Sequence, residues 1–212
     1  MVQNLLRGAF ILGQITIEVS VSLLSGRRAL ATVITHAIAA SALATVAPKE
    51  LSRARLAIVL GVLAMIPDLD VIGFHYGILY ADALGHRGFT HSILFATIAA
   101  VVTPFIAFSK LRVLRRSWWI VVGLAFIATL SHGVIDSFSD AGLGVGFFIP
   151  FDDTRFFAPW RPLATSPLSI SAFINGPAVR ILMNEFYWVG IPLVGLFGGL
   201  HLIRRMGGRG DG

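Results

Sequence analysis

The stretch SWWIVVGLAFIATLSHGVIDS, residues 117–137, decides the fold. It is an apolar run longer than the 18 or so residues that mark a helix crossing a hydrocarbon core about 30 Å thick. Its ionisable residues, His132 and Asp136, are held back to the last turns. Further apolar segments fall near 5–24, 29–47, 56–80, 89–109 and 184–203. The composition agrees: the 212 residues are 56% hydrophobic and 13% charged, with a mean hydropathy of +0.81, whereas soluble domains carry about 25% charged residues. No Ser/Pro/Gly-rich linker or charge block divides the chain, so residues 1–212 read as one all-α domain, a polytopic membrane helix bundle. The first segment contains Glu18 and lacks a small-residue cleavage site before Arg27 and Arg28, which favours a retained helix over a signal peptide. Pro67 and Gly73 break the third, so a kinked or re-entrant second half is expected there.

Residues 138–183 form the long non-helical stretch of this reading, rich in Pro and Gly and dense in aromatics: Phe147, Phe148, Phe151, Phe156, Phe157 and Trp160. A loop of that length in a compact protein is usually functional or disordered. The aromatic content argues for an ordered cover at the headgroup level. If the segments alternate, Arg7, Lys49, Arg53, Arg55, Lys110, Arg112, Arg115, Arg116, Arg204, Arg205 and Arg209 share one side, against Arg27, Arg28, Arg87, Arg155, Arg161 and Arg180. The larger group is the cytoplasmic one by the positive-inside rule. The formal charge of +6 is therefore a topology signal. Lipid headgroups are the expected anionic partners, and nucleic acid is not expected.

Ionisable residues at the centre of a membrane helix cost about 2.5–3.5 kcal/mol each on insertion scales, and where they occur they mark function. On the alternating topology His36, Asp68, Asp70, His86, His91, His132 and Asp136 all fall near one membrane face, whichever face that is. His132 and Asp136, four apart, share one side of a helix. Asp68 and Asp70 follow Pro67, whose turn can aim both inward. His86 and His91 bracket Arg87-Gly88-Phe89-Thr90, with Gly88 permitting a tight approach into the next helix. Each has a bland reading: His36 among Ala and Thr as a packing hydrogen bonder, Asp68 and Asp70 as caps, His132 with Asp136 as a structural pair. Their joint convergence points to a metal site instead. The chain has no cysteine, which restricts a transition metal to His, Asp and Glu ligands. Zinc is the first expectation, with manganese or iron as alternatives. In the aromatic loop, Arg155 and Arg161 are candidates for phosphate recognition, or for simple headgroup contact.

The segments Pro67-Asp68-Leu69-Asp70, His86-Arg87-Gly88-Phe89-Thr90-His91-Ser92 and Ser131-His132-Gly133-Val134-Ile135-Asp136 resemble the motifs of the YdjM-like family of inner-membrane proteins, regarded as metal-dependent hydrolases. Thr35-His36 and the Phe148–Pro167 stretch, with Pro159-Trp160-Arg161-Pro162, resemble further motifs of that family, so the likeness covers residues 30–170. The family is distantly similar to the zinc-dependent phospholipase C and single-strand nuclease superfamily, in which a His-x-x-x-Asp helix supplies ligands and a zinc cluster activates water. That likeness implies a metal held by His36, Asp68, His86, His132 and Asp136. The further histidines of the superfamily's trinuclear sites have no counterpart after Asp136 except His201, at the wrong end, so one or two ions are expected.

The resulting expectation is a membrane-bound hydrolase in which the metal lowers the pKa of bound water from 15.7 towards about 7. Asp70 or His91 would act as general base or orienting group, and Arg155 or Arg161 would neutralise a phosphate. A site near the extracytoplasmic face of the inner membrane suits a lipid or lipid-linked phosphoester. A metal-ion or proton transporter is the rival, since intramembrane His and Asp also line ion paths. A non-catalytic protein with a structural metal is the third reading. Oligomeric state is not legible.

Overall fold

The computed structural model describes residues 31–165 and 174–207. The 5–24 segment and Arg27 and Arg28 lie outside the described residues. Helix α1 (Ala31–Ala42) runs into a short 3-10 turn, Leu43–Val46. Helix α2 (Arg53–Met65) starts at Ser52, whose hydroxyl accepts from the Arg55 N–H as an N-cap. It continues directly into a 3-10 helix, Ile66–Tyr76. After a coiled segment with a 3-10 turn at Phe89–His91, Ser92 caps α3 (Ile93–Ala107) by accepting from the Phe95 N–H at 3.0 Å. Helix α4 (Arg116–Ser137) follows. Helix α5 (Ala178–Glu185), a π turn (Phe186–Gly190) and α6 (Ile191–Gly207) close the described chain. Among the described residues there is no strand, only two isolated bridges, Ser139 with Leu163 and Val145 with Phe156.

Among the described residues, three stretches are long and apolar enough to cross a bilayer: Arg53–Tyr76, Arg116–Ser137 and Ala178–Leu200. The described part of the 29–47 segment is helical from Ala31 to Val46, while the 89–109 segment proves shorter as a helix. At 15 residues, α3 spans about 22 Å at 1.5 Å per residue, short of the ~30 Å hydrocarbon core. The reason is local: Phe89–His91 turns back under the Ser92 cap, so the head of that segment is spent on the site. The 138–183 stretch also ends earlier than its Pro and Gly content suggests. Pro177 precedes the first turn of α5 without breaking it, because a helix start needs no proline N–H.

The helices bury narrow stripes of small and branched residues. On α4 the stripe is Trp118, Val121, Ala125, Ala128, His132 and Asp136, at steps of three and four. On α1 and its 3-10 extension it is Val33, His36, Ala40 and Ala44, and on α2 and its 3-10 extension it is Leu56, Leu60, Ala64 and Pro67. The histidines and carboxylates are therefore not off-pattern; they end stripes that face the bundle axis. Outside, Ile38, Ile58, Val62, Ile106 and Val194 are exposed, as expected for a surface solvated by lipid. The basic loops meet at the end opposite the site, where the Arg55 guanidinium lies over the Phe108 ring, 5.4 Å from its centroid.

Two glycines let the site end close up. A Cβ on Gly88 would sit 2.3 Å from the Ala83 carbonyl. A Cβ on Gly133 would sit 3.1 Å from the His91 carbonyl oxygen, with Phe147 and Val145 at 3.3 Å on its other sides. Gly133→Val should therefore push the His91 turn off α4 and cost about 1–3 kcal/mol, as overpacking does. Thermal unfolding in detergent reads this as a lowered Tm; an unchanged Tm would show that the contact has slack.

Candidate metal centre

The 3-10 helix supplies the first carboxylates. Pro67 has no N–H, so in 3-10 register it gives the Ala64 carbonyl no donor. That oxygen instead accepts from His132 Nδ1–H at 2.6 Å. The bond fixes the His132 tautomer and leaves Nε2 as a lone pair with no hydrogen-bond partner. Nε2 lies 3.3 Å from Asp68 Oδ1 and 3.7 Å from Asp136 Oδ2.

His91 is aimed in the same way from the loop. Thr90 Oγ1–H donates to Asp70 Oδ2 at 2.8 Å, so its oxygen is left to accept from His91 Nδ1–H at 3.0 Å. His91 Nε2, likewise without a partner, lies 3.5 Å from Asp136 Oδ2 and 3.9 Å from Asp68 Oδ1. Asp68, His91, His132 and Asp136 thus present ligand atoms that all lie within 4.8 Å of one another. Two lone-pair nitrogens facing two carboxylates in a dry bundle leave a gap for positive charge, because buried carboxylates require a cation or donors. His36 extends the group: its ring stacks on His132 at 3.8 Å between centroids, and its Nε2 is 3.4 Å from Asp136 Oδ1.

Asp70 faces the other way, into the 86–90 loop. It accepts from His86 Nδ1–H at 2.7 Å, the Arg87 backbone N–H at 3.2 Å and Thr90. Asp70, His86 and His91 form a second set with ligand-like spacing. All seven ionisable residues singled out in the sequence come together, with the roles redistributed. His91 stands in the inner four, while His86 is bonded to Asp70.

Arg155 and Arg161 lie outside these groups. Arg155 is spent on backbone carbonyls, donating to those of His86 at 2.9 Å, Asp82 at 3.0 Å and Tyr80 at 3.3 Å. It braces the 80–86 segment against the aromatic loop, and partial burial lowers its pKa. Arg161 is exposed and lies over the Phe157 ring at 4.5 Å. Asp152 accepts from the Thr154 N–H at 2.7 Å, capping a turn.

Two residues that the sequence reading left without a role sit at the site. The Arg87 Nε is 3.1 Å from Asp136 Oδ2, and its Nη1 donates to the Ala141 carbonyl at 3.0 Å. Burial opposes its charge, but the carboxylate beside it more than compensates, and its pKa is raised. Its place between His86 and Gly88 was the available signal. Buried Glu185 accepts from Thr35 Oγ1–H at 2.6 Å, tying α5 to α1 beside His36. The acid at the head of an apolar segment was the signal there.

The aromatic loop closes over this end. Gly146 N–H donates to the Arg87 carbonyl at 2.8 Å, and Ile93 N–H donates to the Phe147 carbonyl at 2.9 Å. Asn184 of α5 clamps its far part, donating to the Pro162 carbonyl and accepting from Ala164 N–H. Orienting partners of this kind change metal affinity by about 10–100-fold. Asp70→Asn should weaken zinc binding by that factor in a chelator competition, with the fold intact; unchanged affinity would deny Asp70 its role.

The family model for the YdjM inner membrane protein matches residues 31–206. The chain is 35% identical over 175 residues to the inner membrane protein YbcI of Escherichia coli (strain K12), covering 82% of this chain and 99% of that protein. No solved structure matches it. The chain belongs to the YdjM inner membrane protein family and is an integral protein of the inner membrane.

Proposed function

We propose that this chain, a member of the YdjM inner membrane protein family, is a metal-dependent hydrolase that cleaves a phosphoester of a lipid or lipid-linked substrate. One observation carries the reading: the unpartnered Nε2 atoms of His91 and His132 converge on Asp68 and Asp136. Asp68, His91, His132 and Asp136 would hold a divalent ion, zinc suiting two imidazoles and two carboxylates. Such an ion supplies Lewis-acid polarisation and an activated water.

The chain's own groups fit that use. Asp68 is 19% exposed while the His91, His132 and Asp136 side chains are at most 6% exposed, so the group is approachable on the Asp68 side. A catalytic site needs such an edge, whereas a structural one is closed. Arg87 holds Asp136 through Oδ2, the oxygen that also faces His91 and His132, and adds a positive charge that favours an anionic phosphate. Asp70 accepts the Thr90 hydroxyl hydrogen bond and lies 3.3 Å from His91 Nδ1, which keeps the His91 proton on Nδ1 and Nε2 free. The buried ionisable residues gather at one end, while Leu56, Leu60, Val121 and Ala125 fill the adjoining interior. That pattern favours an interfacial reaction over an ion path through the full depth. The basic loops at the opposite end support a site on the extracytoplasmic side.

The test is release of phosphate or headgroup from a panel of phospholipids and lipid pyrophosphates, run beside elemental analysis. Wild-type protein should carry a divalent metal and turn over a member of the panel. His132→Ala should lose both; hydrolysis at the wild-type rate by that variant would end the proposal.

A further inference from the structure

A cavity of about 350 Å³ lies between α1, α4, the aromatic loop and α6. It is walled by Ala39 and Leu43 from α1 and its 3-10 extension, Ser131 and Ile135 from α4, Leu196 from α6, and Trp160 and Trp188. It takes no part in the metal chemistry described above.

Its chemistry calls for an apolar occupant. The Ser131 hydroxyl is turned away, donating to the Ala128 carbonyl at 2.8 Å, and the other walls are hydrocarbon and aromatic. Water does not settle in an apolar cavity that offers no polar partners. Two of its walls belong to stretches long and apolar enough to cross the bilayer, Arg116–Ser137 and Ala178–Leu200, so the medium at that depth is lipid chain. Its size is at the lower end of the range of ligand pockets, about 300–1,000 Å³, which suits one hydrocarbon chain. The Trp160 and Trp188 rings meet edge to face at 4.7 Å, the residue type that sits at headgroup level.

The cavity shares helices α1 and α4 with the metal centre. Ser131 and Ile135 directly precede His132 and Asp136, and Ala39 lies one turn beyond His36. We infer that this cavity receives one hydrocarbon chain of the amphiphile whose phosphate meets the metal centre. The inference rests on the hydrolase reading for the headgroup and on the cavity alone for the chain.

The full-length protein in nanodiscs containing a phosphatidic acid with a diazirine in one acyl chain provides the probe. Illumination and peptide mapping should place adducts on Leu43, Ile135 or Leu196. Ala39→Phe, which fills the cavity from α1, should cut that labelling roughly tenfold, the scale on which apolar pockets respond to small changes in shape. Leu196→Trp fills it from the opposite wall and should do the same, with unchanged metal content showing that the centre is intact in each variant. His132→Ala should lose metal and turnover yet keep the labelling, which separates this inference from the hydrolase reading. Labelling confined to outward residues such as Ile58 and Ile106, or indifferent to both filling variants, would overturn it.

Discussion

Buried carboxylates without enough donors are the constraint on which this structure depends. Asp68 and Asp136 face imidazole nitrogens whose protons have been used elsewhere, His132 on the Ala64 carbonyl and His91 on Thr90. An apolar bundle cannot hold such a group unless positive charge sits among its members. Arg87 supplies part of it from one side. The rest of the architecture reads as the means of keeping these atoms in place. Pro67 frees the Ala64 carbonyl, Gly133 lets the His91 turn lie on α4, and Asn184 fastens the loop that closes over the end.

The helical character, the membrane class and the set of seven convergent residues were legible because they follow from spacing and hydropathy. His132 and Asp136 end the same stripe that buries Val121 and Ala125, a periodicity visible in the sequence. The division of labour was not legible. Whether His86 or His91 joins the inner group depends on where Thr90 sends its proton, a matter of loop geometry with no sequence period. Arg87 was hidden inside a motif prized for its histidines, and Glu185 behind an apolar segment whose helix begins earlier than its prolines suggest. The short α3 shows why apolar length misleads near a site: the 89–109 segment opens with Phe89, Thr90 and His91, which form a 3-10 turn at the site ahead of the helix.

The position of the centre gives the fold a functional logic. Its candidate ligands come from the 3-10 extension of one bilayer-length stretch, the end of another and a turn ahead of a shorter helix, so the group sits at the end of the bundle. The adjoining apolar cavity shares α1 and α4 with it.

The central claim is that this group binds a metal ion through two imidazoles and two carboxylates. X-ray absorption at the zinc edge of the purified, zinc-loaded protein measures that directly. The account predicts a first shell of mixed nitrogen and oxygen at about 2.0–2.2 Å with an imidazole scattering pattern. A zinc shell of oxygen alone, or protein that retains no zinc after desalting, would contradict it.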